Sequence, residues 1–153
     1  MDIEIYLGDR NALLPLFALA DDSPSAVEAY LPLGEILVAR DGPDIVGHLQ
    51  IIPAAEPDTL ELKSMAVVEA RQAAGLGRAL VVAAVERCKG LGARRLIVST
   101  AAAGTGTLRF YQRQGFRMER IVRDVFGPHT GYPEGLMVDG IPLRDQVFLD
   151  MRL

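Results

Sequence analysis

The sequence predicts an α/β protein of the α+β kind, with a mixed, mostly antiparallel sheet of about six or seven strands flanked by helices. Three strand-like segments joined by short turns indicate an antiparallel meander, over residues 35–40, 45–53 and 60–67. A helical segment over 76–91 then leads to another strand over 94–100. Because a helical crossover makes the strands on either side of it parallel, we expect one parallel pair, which can splay apart.

The N-terminal segments are predicted from their own patterns. Ile3–Leu7 alternates as an edge strand does, and Asp9 can cap a helix over Arg10–Ala20. The stop at Asp21–Pro24 is followed by a second short helix, which we expect over Ser25–Tyr30.

The last third of the chain contains a short helix, two strands and a long loop. We expect the helix over Thr107–Gln114, ended by Gly115, and a strand pair formed by Phe116–Phe126 and Arg144–Met151. The segment between the strands, Gly127–Pro142, holds four glycines and three prolines. It is predicted to be a long irregular connection, and such loops in compact domains are often functional.

Composition limits the classes of function. The 153 residues, half of them hydrophobic, can bury a full core, so we expect one domain over residues 1–153. The net charge of −4 argues against a nucleic-acid partner. Cys88 is the single cysteine and cannot form an internal disulfide, which fits a cytoplasmic protein. No signal peptide is visible and no apolar run could span a bilayer, so no membrane partner is expected.

The stretch Leu60–Leu80 joins a strand to a helix through a turn that contains Gln72–Gly77. The start of a helix leaves backbone N–H groups without partners and carries partial positive charge, and glycines let a ligand approach the backbone. This join therefore predicts a phosphate or pyrophosphate site. The P-loop pattern is missing, and the third glycine of the dinucleotide pattern is replaced by Leu80.

The spacing Gln-x-x-Gly-x-Gly at Gln72–Gly77, between a strand and a helix, resembles the acetyl-CoA signature of the GNAT (Gcn5-related) N-acetyltransferase family. The resemblance implies the GNAT fold, acetyl-CoA as co-substrate and no metal. It implies that the pantetheine arm enters the splayed gap, and that a backbone N–H near Met65 or Val67 faces the thioester carbonyl. The residues that it assigns to acetyl-CoA are Met65, Ala66, Val67, Arg71, Gln72, Ala73, Ala74, Gly75, Leu76, Gly77, Arg78 and Ala79.

A second motif lies at Tyr111–Phe116, where a helix ending in tyrosine is followed by three residues and then Gly-Phe, as in GNAT proteins. The resemblance implies that Tyr111 protonates the departing CoA thiolate. The alternative is a buried aromatic ring whose hydroxyl finds a hydrogen-bond partner. Upstream the sequence departs from the family, because Gly104 and Thr107 stand where an asparagine and an alanine are frequent.

Acetyl transfer to an amine also needs a base. Glu61 lies four residues before Met65, a spacing at which some family members place a catalytic glutamate. Alternation predicts that Glu61, Lys63, Met65 and Val67 share one strand face, so an exposed carboxylate paired with Lys63 is an equal alternative. His129 or a chain of waters could also act as the base, whereas His48 in mid-strand is expected to be structural.

The sequence thus predicts an N-acetyltransferase that moves acetyl from acetyl-CoA to a primary amine, by direct attack in a ternary complex. The acceptor could be a small-molecule amine or a peptide amine. The alternative is a CoA-binding sensor or regulatory module without efficient turnover, and a third reading is an interaction domain that binds no CoA. Many relatives dimerise, and an exposed strand edge or the long loop could support a homodimer.

Overall fold

The computed structural model describes all residues, Met1–Leu153. The strands are β1 (Asp2–Ile5), β2 (Glu35–Asp41), β3 (Asp44–Pro53), β4 (Thr59–Val67), β5 (Arg95–Ala101), β6 (Arg117–Val122), β7 (Met137–Val138), β8 (Ile141–Pro142) and β9 (Gln146–Arg152). The α-helices are α1 (Leu14–Ala20), α2 (Pro24–Tyr30), α3 (Leu76–Gly90) and α4 (Thr105–Arg113). None of the helices combines the length and the apolar character that a membrane crossing needs.

Seven strands form one sheet in the order β1-β2-β3-β4-β5-β9-β6. Strands β1 to β4 pair antiparallel, as do β6 and β9, whereas β4 and β5 form a parallel pair. The predicted mixed, mostly antiparallel sheet with one parallel pair is therefore confirmed. Packing divides the chain into two compact units, residues 1–96 with Leu153, and residues 97–152. The single domain over residues 1–153 stays a prediction.

In the first unit, the start of the predicted helix over Arg10–Ala20 differs from the expectation. Asp9 accepts a hydrogen bond from the Asn11 N–H, as a cap should, but the first turn is a 3-10 helix over Arg10–Leu13. The α-helix begins only at Leu14, and Pro15 occupies its first turn. Proline has no N–H to donate into the turn before it, so it is tolerated at the start of a helix.

Helices cover both faces of the sheet in this unit. On one face, which we call the α1 face, α1 and α2 bury Phe17 and Tyr30, and the Phe17 ring stacks on His48 of β3. The other, the α3 face, is covered by α3. The approach is close at Gly47, where a Cβ atom would lie 3.2 Å from Leu80 Cδ1. Cys88 of α3 is also buried, and burial raises the pKa of its thiol to about 11.

A register shift in β4 changes which of its side chains share a face. Gln50 of β3 pairs with Ser64, but the next residue, Ile51, pairs with Leu62. Lys63 is therefore an extra residue in a β-bulge, which interrupts the alternation of side chains along the strand.

The prediction that Glu61, Lys63, Met65 and Val67 share one face is therefore wrong. It assumed an unbroken period of two, which the bulge breaks. The pairing places Glu61 with Ser64 on the α1 face, whereas Met65 and Val67 lie on the α3 face.

The second unit holds α4, β6, β9 and the long loop. The strand predicted over Phe116–Phe126 is shorter, because β6 ends at Val122 and Asp124 has a positive φ of 58°. The loop Gly127–Pro142 is less irregular than predicted, because β7 and β8 form a hairpin within it. Asp139 and Gly140 make its turn with φ values of 49° and 77°, and Asp-Gly is a strong signal for such a turn.

His48 lies within the core of the first unit. Its side chain is buried, Nε2 lies 2.8 Å from Ser64 Oγ, and Nδ1 has no hydrogen-bond partner. Burial lowers the pKa of His48 to about 3, because the charged imidazolium is poorly solvated there. These contacts favour a structural role.

We expect this histidine to make the protein less stable as the pH falls from about 6.5 to about 3. In that window the unfolded chain protonates His48 and the folded chain does not, so the unfolded state binds the extra proton. The free energy of unfolding should drop by about 2 kcal/mol between pH 7 and pH 5. Urea unfolding of wild type, His48→Gln and His129→Gln measures this. Equal losses in wild type and His48→Gln would contradict the assignment, and His129→Gln should behave as wild type.

Candidate functional site

The loop between β4 and α3 is short and conformationally restricted. After β4 ends at Val67, a 3-10 turn covers Glu69–Arg71 and α3 begins at Leu76. Between them, Ala73 and Gly75 both have left-handed backbones, with φ values of 66° and 79°. Glycine adopts that conformation without strain, whereas Ala73 is held in it by the surrounding turn.

The N terminus of α3 is open to a ligand. Gly75 is the N-cap, and no side chain caps the helix. The first intrahelical hydrogen bond runs from the Ala79 N–H to the Gly75 carbonyl at 3.0 Å, so the preceding N–H groups, those of Leu76, Gly77 and Arg78, have no intrahelical acceptor. A Cβ atom on Gly75 would meet no protein atom within 4 Å. Open space beside unpaired N–H groups and the positive end of a 15-residue helix fits a phosphate or pyrophosphate.

Two side chains fasten this loop to the sheet. The Arg71 guanidinium forms an ion pair with the Asp41 carboxylate at the end of β2. The Gln72 side-chain N–H donates to the Val67 carbonyl at 3.0 Å. Without a ligand, these side chains hold the loop in place, and the backbone of Leu76, Gly77 and Arg78 offers free donors. The assignment of Arg71 and Gln72 to the pyrophosphate stays a prediction.

Glu61 lies on the α1 face of β4, partly buried. Its carboxylate is 3.8 Å from the Lys63 ammonium, which also lies 5.0 Å from the centroid of the Tyr30 ring. The ion pair of the structural alternative is therefore present. Such a pair contributes little to stability when it is partly exposed.

Tyr111 occupies the last turns of α4, which Gly115 ends with a φ of 103°. Its side chain is 7% exposed and packs edge-on against Phe110 and Phe116. The hydroxyl has no hydrogen-bond partner in the chain, which removes the main support for a purely structural tyrosine. Burial raises the pKa of Tyr111 above its usual value, so the hydroxyl is protonated at neutral pH.

His129, the other candidate base, is exposed in the long loop. Its Nε2 lies 3.0 Å from the Asp124 carbonyl. With that nitrogen as donor, Nδ1 is left as the acceptor. The loop also surrounds a cavity of about 480 Å³, which His129, Glu134 and Arg144 line.

Sequence reasoning missed a groove between α1 and α2. It has a volume of about 680 Å³ and an apolar wall that includes Leu14, Val27 and Leu31. Arg10 fixes one end by donating to the carbonyls of Leu31, Leu33 and Gly34 at 2.9, 2.8 and 2.6 Å. The two helices were predicted, but the contact of Arg10 with carbonyls 21 to 24 residues away was not, because no local pattern encodes it.

Comparison with known proteins agrees with this geometry. The sequence model of the Acetyltransferase (GNAT) family matches residues 10–116. The chain belongs to the GNAT acetyltransferase family. It is 35% identical over 153 residues to YvbK of Bacillus subtilis (strain 168), an uncharacterized N-acetyltransferase, across 99% of this chain and 97% of that protein. The resemblance at Gln72–Gly77 and Tyr111–Phe116 is thus confirmed at the level of the family.

Solved structures of GNAT proteins have the same fold. A Bacillus subtilis acetyltransferase in complex with CoA has a TM-score of 0.90 at 35% identity, covering 99% of this chain and 97% of that chain. A GNAT family acetyltransferase from Elizabethkingia anophelis with acetyl-CoA bound has a TM-score of 0.91 at 30% identity, with the same coverage. An IAA acetyltransferase from Bacillus cereus ATCC 14579 has a TM-score of 0.89 at 33% identity, covering 99% and 100%.

Proposed function

We propose that this GNAT protein transfers an acetyl group from acetyl-CoA to a primary amine, by direct attack in a ternary complex. The observation that carries the proposal is the uncapped N terminus of α3, directly after β4 and beside open space. Two of its structural relatives were solved with CoA or acetyl-CoA bound. Acetyl-CoA supplies an activated thioester, and the residues of this chain bind it and move protons.

The binding site runs from the end of β4 into the first turn of α3. The N–H groups of Leu76, Gly77 and Arg78 would bind the pyrophosphate, with Gly75 leaving room for it. The other residues assigned to the co-substrate are Met65, Ala66, Val67, Arg71, Gln72, Ala73, Ala74 and Ala79. Of these, Arg71 and Gln72 act by holding the loop through Asp41 and the Val67 carbonyl. A backbone N–H near Met65 or Val67 would stabilise negative charge on the carbonyl oxygen.

The chemistry consists of one acetyl transfer and the proton transfers that accompany it. The acceptor ammonium loses one proton to Glu61, directly or through water, and its nitrogen lone pair forms the new bond to the acetyl carbon. The carbon–sulfur bond breaks, the electron pair leaves with sulfur, and the thiolate takes the Tyr111 proton. The second proton on the nitrogen returns through water to the Tyr111 phenolate, so the products are an N-acetyl amine, CoA and one proton held by Glu61. The hydroxyl has no partner in the chain, which supports the donor role, and the raised pKa means that the group is protonated before the reaction.

The acceptor is a primary amine, either of a small molecule or of a peptide. The face of β4 that carries Glu61 is covered by α1 and α2, so the acceptor would approach from the side of these helices.

The experiment that tests the proposal is thiol release from acetyl-CoA with a panel of small-molecule and peptide amines, beside a thermal melt with CoA. Turnover with one class of amine supports transfer and identifies the acceptor. Stabilisation by CoA without turnover on any amine would favour the CoA-binding sensor, since a ligand of the native state raises the melting temperature. No stabilisation by CoA would contradict the site at α3.

The two roles of Glu61 predict different mutant kinetics. If Glu61 is the base, Glu61→Gln should lower kcat by about a hundredfold, since a base contributes on the order of 10²–10⁴. Lys63→Met breaks the same ion pair but leaves the carboxylate, so it should change kcat by less than about threefold. Steady-state kinetics over a range of pH measures both. Equal and small effects of the two substitutions would leave Glu61 with a structural role only.

A further inference from the structure

The outer edge of the sheet in the second unit carries an uncovered apolar patch. β6 is the last strand in the sheet order and pairs with β9 on one side only. The N–H and C=O groups along its other side therefore have no strand partner. Two large apolar side chains of β6, Met118 and Ile121, are 53% and 67% exposed.

These two side chains lie on the same face of the sheet. Met118 pairs with Leu149 and Ile121 pairs with Val147, and cross-strand partners point to one side. Leu149 and Val147 are buried, so the apolar face of β9 continues onto β6 and is left exposed there. Exposed apolar side chains beside a free strand edge suit contact with a second strand.

The opposite face of β6 carries a charge pair. The register of β6 on β9 shifts between Met118 and Arg120, which makes Glu119 the extra residue of a bulge. The Arg120 side chain lies 3.3 Å from the Glu119 carboxylate and over the ring of Phe148, its cross-strand partner. Acidic and basic groups therefore stand side by side on the face away from Met118 and Ile121.

We propose that β6 pairs antiparallel with β6 of a second copy of this chain, about a two-fold axis between Glu119 and Arg120. In this register Met118 lies opposite Ile121 of the partner subunit, and Glu119 lies opposite Arg120 of the partner subunit. The axis repeats both contacts, so one face gains two Met–Ile pairs and the other two Glu–Arg pairs. The segment Arg117–Val122 is thus self-complementary in apolar character and in charge.

The same residues disfavour neighbouring registers. A shift by one residue in one direction puts Arg120 opposite Arg120 of the partner subunit, and in the other direction Glu119 opposite Glu119 of the partner subunit. Like charges directly opposite each other destabilise a strand pair. Pairing in the proposed register covers the free edge of both copies, so the contact closes as a dimer and does not extend.

Oligomeric state tests this proposal independently of acetyl transfer. Sedimentation velocity over a wide range of protein concentration should show wild type at twice the mass of one chain. Glu119→Arg and Arg120→Glu each put like charges opposite one another at both symmetry-related contacts of the dimer. Each substitution should therefore raise the dimer dissociation constant about tenfold or more. The double variant Glu119→Arg with Arg120→Glu restores both ion pairs and should return the dimer.

Controls separate the interface from folding. Ile121→Lys should also produce monomer, whereas Leu19→Lys, at a similarly exposed site on α1, should stay dimeric. Circular dichroism confirms that each variant is folded. A wild type that stays monomeric at every concentration overturns the proposal, and so does a dimer that tolerates all the β6 substitutions. A double variant that stays monomeric contradicts the register.

Discussion

Replacement of Gly75 by aspartate is expected to weaken CoA binding by about a hundredfold. The substitution places a carboxylate at the N-cap of α3, beside the N–H groups proposed to bind pyrophosphate. Negative charge there repels the phosphates, and the side chain can itself accept from the free N–H groups. Isothermal titration with CoA measures the loss. The same protein should fold, because aspartate is among the residues that tolerate left-handed backbone.

The matched control is Gly75→Asn, which has the same shape and capping ability but no charge. We expect it to weaken binding by no more than about tenfold, so the difference between the two variants reports the electrostatic part. Gly92, at the other end of α3, has a similar φ of 83° and open space around it. Gly92→Asp should therefore leave CoA affinity unchanged. Equal affinities for Gly75→Asp and Gly75→Asn would contradict a phosphate site at this helix terminus.

Replacement of Tyr111 by phenylalanine should lower kcat by up to about a hundredfold with little change in the KM for acetyl-CoA. The ring keeps its packing against Phe110 and Phe116, and the lost hydroxyl leaves no group of the chain unpaired. The melting temperature should therefore hardly change. Single-turnover measurements of thiol release test this step directly.

Tyr6→Phe serves as the comparison, because that hydroxyl donates to the Asp9 carbonyl at 2.7 Å in the first unit. It should affect stability and leave kcat unchanged. A thioester with a better leaving group needs less help from an acid, so the effect of Tyr111→Phe should shrink with such a substrate. An equal effect on both thioesters would mean that Tyr111 does not protonate the leaving group.

The sheet and the loop before α3 could be predicted because their signals are local. Glycine spacing, the strand before it and the apolar helix after it identify Gln72–Gly77, and the crossover implies the parallel pair. The bulge at Lys63 was missed although the sequence carries a weak sign of it. The apolar positions Leu60 and Leu62 are followed by two consecutive polar residues, and the apolar positions then resume at Met65, one residue out of step. The pairing of Gln50 and Ile51 with β4 shows the bulge directly. The prediction that Glu61 shares a strand face with Met65 and Val67 was wrong for that reason.

The contacts of Arg71 and Gln72 illustrate a second limit. The motif indicates that these residues belong to the site, but it does not predict that their side chains contact Asp41 and the Val67 carbonyl. Asp41, the partner of Arg71, is 30 residues away in the sequence. The hairpin at Asp139 and Gly140 was missed although its Asp-Gly turn signal is present in the sequence.

The bulge at Lys63 gives β4 two halves that can diverge separately. Before the bulge, Glu61 lies on the α1 face, and after it, Met65 and Val67 lie on the α3 face near the loop that leads to α3. A substitution near Glu61 therefore does not have to satisfy the packing around Met65 and Val67. Under the proposed function, a strand of this kind lets the acceptor side change during evolution while the co-substrate side stays constant, so acceptor preference and co-substrate binding would be separable traits.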